Sequence, residues 1–586
     1  MHETVRQTSL PETRHHPVSD LQEVMVHEKV ERDGDADRIA VDFTIGGIDP
    51  ESAHVMLGPW HPFAQSPVIK DNDIGLPVKI TDVIKPRTTI PGIEPNGGGE
   101  CHTDCRVAYN FAIFETEKKK KILVGVMPDF VSTNRIFIRK GDGHSMKVHL
   151  ENATPGVFRK GKRELRYIVV EGDRYIDVLN EYSKKIDEYN PVKTRSRLDG
   201  AALACTWDWA GKYVSEDAVV KEIEAIKVLH EELKRDPEYK PSYKIDGLIL
   251  DDGWQFGHEY NAQNVNTNKF PHGLRPIIEA IQSAGMEAGI WMAPFFKSET
   301  SPLLRDHPDY FLRDENGSFV RYKVRQSIHE DDRHGRWAYS EYPMILDISV
   351  PEVREHIMTD IKSHYDMGVR LFKLDFLSAV FSHPLKNRDK TTVEYYRDFF
   401  GNVRNVFPEA KFIGCTLPLT ESLGLFDAMR VSNDSIIPSK GFGTKHVWGR
   451  IISLLSLTDI AKKSNGLMYK DMVLKSALRS TMLGKNTCAA VDGVHWDDKE
   501  NPIDTSVFAN ANELIRMINT KDSQAVHFIG GSISHLDNRE RAVFVSLLKS
   551  MQEKEAKRLM EIDELQQIVG EFYKPPWLVY ALGSTT

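Results

Sequence analysis

The chain has 586 residues, 40% hydrophobic and 27% charged, enough for two to four domains with sizeable cores. Its 76 Lys and Arg against 85 Asp and Glu leave a net charge of −9, which argues against nucleic acid or an anionic membrane surface as the main partner. There is no apolar run of about 20 residues to span a membrane, and the polar Met1 to Asp20 does not read as a signal peptide. Five cysteines, an odd number, read as reduced thiols, and the expected location is cytoplasmic.

Residues 1–195 read as an N-terminal β-sandwich. Short apolar runs at 41–45, 108–114 and 122–126 are separated by polar or Gly-rich turns. Lys118 to Lys121 fall between two such runs and read as a hairpin turn with solvated lysines. Cys101, His102, Asp104 and Cys105 carry the donors of a metal knuckle, but no second ligand pair follows at zinc spacing. No metal and no organic cofactor is therefore assigned.

A different rhythm begins near Leu198. Apolar runs at 201–206, 245–250, 288–293, 369–374, 411–416, 428–432, 466–469 and 487–491 alternate with helical stretches at 218–233, 274–284, 353–365, 393–406 and 471–482. That alternation predicts an α/β fold, a TIM-type (β/α)8 barrel over residues 196–515. The third strand-to-helix connection, 295–344, is long enough to rise over the active face. Residues 516–586 read as a small C-terminal β-domain, with strands at 525–529 and 542–547 and a helical interruption at 549–559.

In such a barrel the chemistry sits at the C-terminal strand ends. Taken in order, those ends carry Trp207-Asp208-Trp209, Asp251-Asp252-Gly253-Trp254, Trp291, Lys373-Leu374-Asp375, Cys415-Thr416 and Arg430 with Asp434; Lys470-Asp471 follows the seventh candidate. Aromatic faces suit the C–H face of a sugar ring, and carboxylates suit its hydroxyls because ionised Asp only accepts hydrogen bonds. Adjacent Asp251 and Asp252 are costly to bury without donors, which neighbouring sugar hydroxyls supply; a helix cap or a metal are the other readings. Lys373, two residues before Asp375, shares its face of the strand and favours the charged carboxylate. Asp375 and Asp434 on one rim fit cleavage of a glycosidic bond by two carboxyl groups. Each alone reads equally as a loop cap.

The ordered series Asp251-Asp252-Gly253-Trp254, Asn268-Lys269-Phe270-Pro271, Gly289-Ile290-Trp291, Lys373-Leu374-Asp375 and Arg430-Val431-Ser432-Asn433-Asp434 resembles glycoside hydrolase family 36, in the α-galactosidase clan. The resemblance covers about residues 195 to 500 and implies a β-sandwich, a barrel and a C-terminal β-domain. It implies Asp375 as nucleophile and Asp434 as acid/base. It implies that Asp251 and Asp252 bind sugar hydroxyls and that Trp207, Trp291, Lys373, Cys415 and Arg430 line the same subsite. Two departures touch the sugar-binding loops. Cys415-Thr416-Leu417-Pro418-Leu419 stands where the family has Cys and a Gly-rich stretch, and Ser340-Glu341-Tyr342-Pro343 stands where an arginine is usual.

The expected function is retaining hydrolysis of terminal α-galactose from an oligosaccharide or glycoconjugate, with the two carboxyl groups about 5–5.5 Å apart. Three rivals remain open: a transglycosylase of the raffinose-synthase type, a hydrolase for another α-linked sugar such as α-N-acetylgalactosamine, and a non-catalytic sugar-binding protein. The resemblance admits a homo-oligomer without fixing a subunit count.

Overall fold

The structure, a computed structural model, describes residues 22–29, 32–33, 36–48, 54–58, 68–70, 105–155, 162–193, 196–322, 343–431, 487–491 and 525–552. Described strands up to residue 172 form two antiparallel sheets. One runs in the order Gln22–Lys29, Lys162–Gly172, Lys121–Val126, Phe111–Glu115, His54–Leu57, Val68–Lys70. The other runs Arg32–Asp33, Ala36–Gly46, Ser145–Pro155, Thr133–Lys140, Cys105–Ala108.

Strand alternation sorts the side chains into two cores. Val41, Ile136, Ile138, Val148 and Leu150 of one sheet meet Phe114, Val124, Val126 and Leu165 of the other, as in a sandwich. Opposite-parity residues Phe111, Ile113, Leu123 and Ile168 pack with Val178, Leu179, Tyr182 and Ile186 of the helix Tyr175–Tyr189, in a core that continues around the barrel. Lys121 is not solvated as expected. It sits opposite Glu115 in the hairpin register, and buried Lys121 meets half-buried Glu115 at 2.8 Å.

The barrel has eight parallel strands: Ala202–Cys205, Gly247–Leu250, Glu287–Met292, Leu371–Leu374, Lys411–Gly414, Ala428–Arg430, Ala489–Val491 and Val526–Ile529. The first six follow the sequence reading, and the last two correct it. Ala489–Val491 is seventh rather than eighth, and residues 466–469 lie outside the described residues. Val526–Ile529 pairs with the first strand and closes the barrel, so the boundary at 515 cuts through the barrel domain. A four-residue strand buried at every position carries no alternation to say which sheet it joins.

Residues 542–547 are also corrected, from strand to helix. They belong to the helix Asn538–Gln552, in which Phe544, Leu547, Leu548 and Met551 form a buried stripe at helical spacing. Its start is a reciprocal cap: Glu540 N–H donates to Asp537 Oδ1 (2.8 Å) and Asp537 N–H to Glu540 Oε2 (2.9 Å). Its end is pinned beside the second strand, where Gln552 donates to the Lys244 carbonyl (2.7 Å) and accepts from the Lys244 N–H (3.0 Å). The small β-domain does not hold for 525–552; residues 553–586 lie outside the described residues.

The barrel interior is a column of alternating positions. Leu203, Cys205, Ile249, Leu371, Ile413, Cys415, Ala428, Ala490, Val526 and Phe528 form one buried cluster, with Trp207 packed on it. Gly289 faces the same column, since a Cβ there would meet Ile249 Cγ1 at 2.7 Å and Leu371 Cβ at 3.0 Å. Stepping two residues along each strand carries this column up to the rim: 203-205, 249-251, 289-291, 371-373-375, 413-415, 428-430.

Candidate active site

That step by two is why Asp251, Trp291, Lys373, Asp375, Cys415 and Arg430 converge; Trp207 joins them from the short 3-10 turn Thr206–Asp208 after the first strand, packed on the column. Each of the strand-end residues extends the apolar interior by one inward position at the C-terminal rim. Hydrophobic residues below hold the strands in register, and polar residues above inherit their direction.

Asp251 and Lys373 form the buried charged centre. The Lys373 ammonium donates to Asp251 Oδ2 at 2.7 Å, and the Cys205 thiol donates to the same oxygen at 3.1 Å. Asp251 Oδ1 accepts the Asp252 N–H at 2.8 Å, and the Asp251 N–H donates to the Thr206 hydroxyl at 2.8 Å. Burial is the largest influence and disfavours the lysine charge, but the Asp251 carboxylate together with the Cys205 and Cys415 sulfurs outweighs it, so the Lys373 pKa lies well above that of an ordinary lysine. Burial first and the Asp251 charge second push the Cys205 thiol up, so it stays protonated. Lys373 was expected to favour charged Asp375; its 2.7 Å ion pair is with Asp251, two strands round the barrel. Asp252 accepts from Gln255 Nε2 at 2.7 Å.

Thr416, Phe376 and Trp291 all donate to Asp375. The Thr416 hydroxyl and the Phe376 N–H both donate to Oδ1, each at 2.7 Å, and the Trp291 indole N–H donates to Oδ2 at 3.3 Å. Donors to a carboxylate favour its ionised form, the one a nucleophile needs. Trp291 is itself braced. Its carbonyl accepts the Trp254 indole N–H (3.0 Å), and Tyr260 packs edge-on against its ring, centroids 5.8 Å apart. The Tyr260 hydroxyl meets His258 Nδ1 at 2.9 Å, and buried Lys297 pairs with Glu259 (3.1 Å) and Asp360 (3.4 Å) beneath the same loop.

Arg430 is 2% exposed despite its length. Its guanidinium and the Lys373 ammonium lie 5.5 and 5.2 Å from the centroid of the Phe528 ring, which forms a floor under both cations. Cys415 is buried, and burial followed by the Asp375 charge raises its pKa. Asp434, Lys470 and Asp471 lie outside the described residues. Among the described residues, no three His, Cys, Asp or Glu converge as a metal site. No described helix is long and apolar enough to cross a membrane.

Sequence reasoning did not single out Cys205, Tyr260 or Phe528, and it named Thr416 only within its segment. Cys205 could have been found by stepping back two from Trp207. Phe528 could not, because its strand was assigned to another domain.

A family model described as Melibiase matches residues 232–375, ending on Asp375. Alpha-galactosidase C of Emericella nidulans is 26% identical over 201 residues, covering 31% of this chain and 24% of that protein. An alpha-galactosidase of Escherichia coli is 30% identical over 118 residues, covering 19% and 14%. The chain resembles the α-galactosidases of glycoside hydrolase family 36. The matched stretch thus spans about a quarter or less of the length of these curated relatives. In fold the likeness is broader. The α-galactosidase of Thermus thermophilus solved with p-nitrophenyl α-D-galactopyranoside superposes with a TM-score of 0.57 at 17% identity, over 90% of this chain and 92% of that one. The matched residues 232–375 include the strand ends with Asp251, Trp291, Lys373 and Asp375, and the segment 415–419 begins beside Asp375, where Thr416 donates to it.

Proposed function

We propose that this chain is a retaining α-galactosidase acting on terminal α-galactosyl groups of an oligosaccharide or glycoconjugate. The observation that carries this reading is Asp375. It is an inward-facing carboxylate held at the barrel rim by the Trp291 and Thr416 donors and the Phe376 N–H. It lies one inward step beyond Lys373, whose ammonium pairs with Asp251. In the proposed reaction Asp375 attacks the anomeric carbon while protonated Asp434 gives its proton to the leaving oxygen. A covalent β-linked glycosyl-enzyme forms. Asp434, now a base, takes a proton from water, which displaces Asp375 and releases the sugar with its original configuration.

The remaining residues bind. Asp251 and Asp252 accept from sugar hydroxyls, and Trp207 and Trp291 offer faces to the ring. Lys373 and Arg430 donate to sugar oxygens. Charge development is handled by carboxylates, so the chemistry proposed needs no metal or organic cofactor. A panel of aryl α- and β-glycosides tests the reading. We expect p-nitrophenyl α-galactoside to be cleaved best, with α-galactose as the first product. Equal cleavage by Asp375→Ala and the parent would overturn it. Adding sucrose or myo-inositol in excess separates hydrolysis from transfer by the product ratio: a transglycosylase makes the new glycoside its main product, whereas a hydrolase still releases mostly free galactose.

A further inference from the structure

Thr416 holds a backbone conformation that its side chain resists. Its φ is 46°, in the left-handed region, where a β-branched residue is a true outlier. Such strain persists only where the surroundings fix it, and it gathers at functional positions. Here the surroundings are specific. The Thr416 carbonyl accepts the Ser378 N–H at 2.8 Å, and the Cys415 carbonyl accepts the Leu377 N–H at 3.4 Å. These bonds tie the segment after the fifth strand to the turn after the nucleophile. Phe376 in that turn is also left-handed, with φ 54° and ψ 34°. The two unusual conformations aim the Thr416 hydroxyl and the Phe376 N–H at one oxygen, Asp375 Oδ1.

The same segment reaches the N-terminal sandwich. Residues 415–423 are buried without exception. The Thr420 hydroxyl lies 2.8 Å from the Asn110 side-chain oxygen and 3.0 Å from the Glu421 carboxylate, sharing one proton between them, and Asn110 leads into the strand Phe111–Glu115. Asn110 is itself left-handed, with φ 71°, and its carbonyl lies 3.3 Å from the Tyr182 hydroxyl of the neighbouring helix. Arg397 donates to the Glu421 and Leu423 carbonyls at 2.7 and 3.0 Å and lies 3.9 Å from the centroid of the Phe130 ring, in the sandwich. The segment 415–423 is thus fastened at both ends.

We propose that Thr416 is a positioning residue for Asp375, and that the segment carrying it is anchored on the N-terminal sandwich through Thr420 and Asn110. The role rests on Asp375 being the nucleophile. The hydroxyl fixes the rotation of the carboxylate and favours its charged form, so the sandwich acts on the reaction without touching the sugar.

The test measures the Asp375 carboxyl directly by 13C NMR in Asp-labelled full-length protein, assigned with Asp375→Asn. Thr416→Val keeps the shape and the branched Cβ but loses the donor. We expect its Asp375 pKa to rise by about one unit, with Thr416→Ser returning to the parent value. In parallel, kcat for the best aryl α-glycoside should fall about tenfold or more in Thr416→Val with KM little changed, and the acid limb of kcat/KM should move up with the carboxyl pKa. Thr420→Val should give the same direction at reduced size, and it carries the test if Thr416→Val does not fold. An unshifted carboxyl in the valine variants, or a serine variant as impaired as the valine one, overturns the positioning role. Absence of glycosidase activity in the parent overturns the functional reading instead, and the NMR titration still decides on Thr416.

Discussion

The sandwich and the barrel both bury charge, and they use it differently. In the sandwich, Lys121 pairs with Glu115 and Arg135 with Glu151 across neighbouring antiparallel strands, inside sheets whose surfaces are already covered. Each pair is satisfied within the sandwich, with Lys119 as a second partner of Glu115 and His149 of Glu151. In the barrel, Asp251, Lys373, Asp375 and Arg430 stack at one end of a column that is otherwise apolar. The cost of burying charge is similar in the two places. What differs is direction: parallel strands all finish on the same rim, so one more inward residue per strand makes a cluster. Antiparallel strands finish at alternate ends and spread their polar residues apart.

Mutations can break or sharpen this contrast. The largest expected effect is at the barrel rim, where Asp375→Ala should lower kcat by about 10⁴-fold or more while leaving the melting temperature near that of the parent. Substitution of the lysine in each region comes next. Lys373→Met leaves Asp251 buried without its ammonium and should cost about 3–5 kcal/mol in denaturant unfolding. Lys121→Met removes one of the two ammonium groups on half-buried Glu115 and leaves Lys119 at 2.8 Å, so it should cost only about 1 kcal/mol. Only the barrel variant should also lose turnover at temperatures where it is folded. Equal loss of activity from both would erase the distinction.

The two regions should also respond oppositely to pH. His527 in the eighth strand is driven down to about 4 by burial. Its folded value lies below its unfolded one, so the neutral ring stabilises the barrel at neutral pH and that stability drains away as pH falls from about 6.5 through 4, by an amount on the order of 3 kcal/mol. His527→Phe should flatten this acid slope. In the sandwich, burial opposes a charge on His149, but hydrogen bonds to Asp42 and Glu151 prevail and raise it to about 9. That contribution is complete below about 6.5 and is lost as pH rises through 9; with Asp42 exposed, about 1 kcal/mol is expected. Melting curves of His149→Gln against the parent at pH 6 and pH 9.5 would read it.

The smallest effect is at the barrel's closing helix. Glu540→Ala removes one half of the reciprocal cap and should cost about 1 kcal/mol, with no change in KM. A larger loss would mean that the helix, not the eighth strand, keeps the barrel shut.

Much of the candidate site was legible in the residues because the barrel converts a local rule into a global one. The strand ends carried Trp207, Asp251, Trp291, Lys373, Asp375, Cys415 and Arg430 among their neighbours, and the family resemblance picked these out; the structure adds which of them continue the apolar column inward. Lys373 shows the limit. Spacing along its own strand pointed to Asp375, whereas its ion-pair partner Asp251 comes from a strand that is not its direct neighbour.

The sequence by itself determined the sandwich-plus-barrel plan and which residues stand at the rim, since both follow from the periods at which apolar residues recur. Tertiary structure alone decided that Val526–Ile529 is the eighth strand, that Phe528 lies beneath two cations, and that Thr416 reaches Asp375. A short buried strand looks alike in any sheet, and a hydroxyl aimed by a left-handed residue has no period to betray it. These features depend on contacts between segments far apart in the chain, which no local pattern encodes.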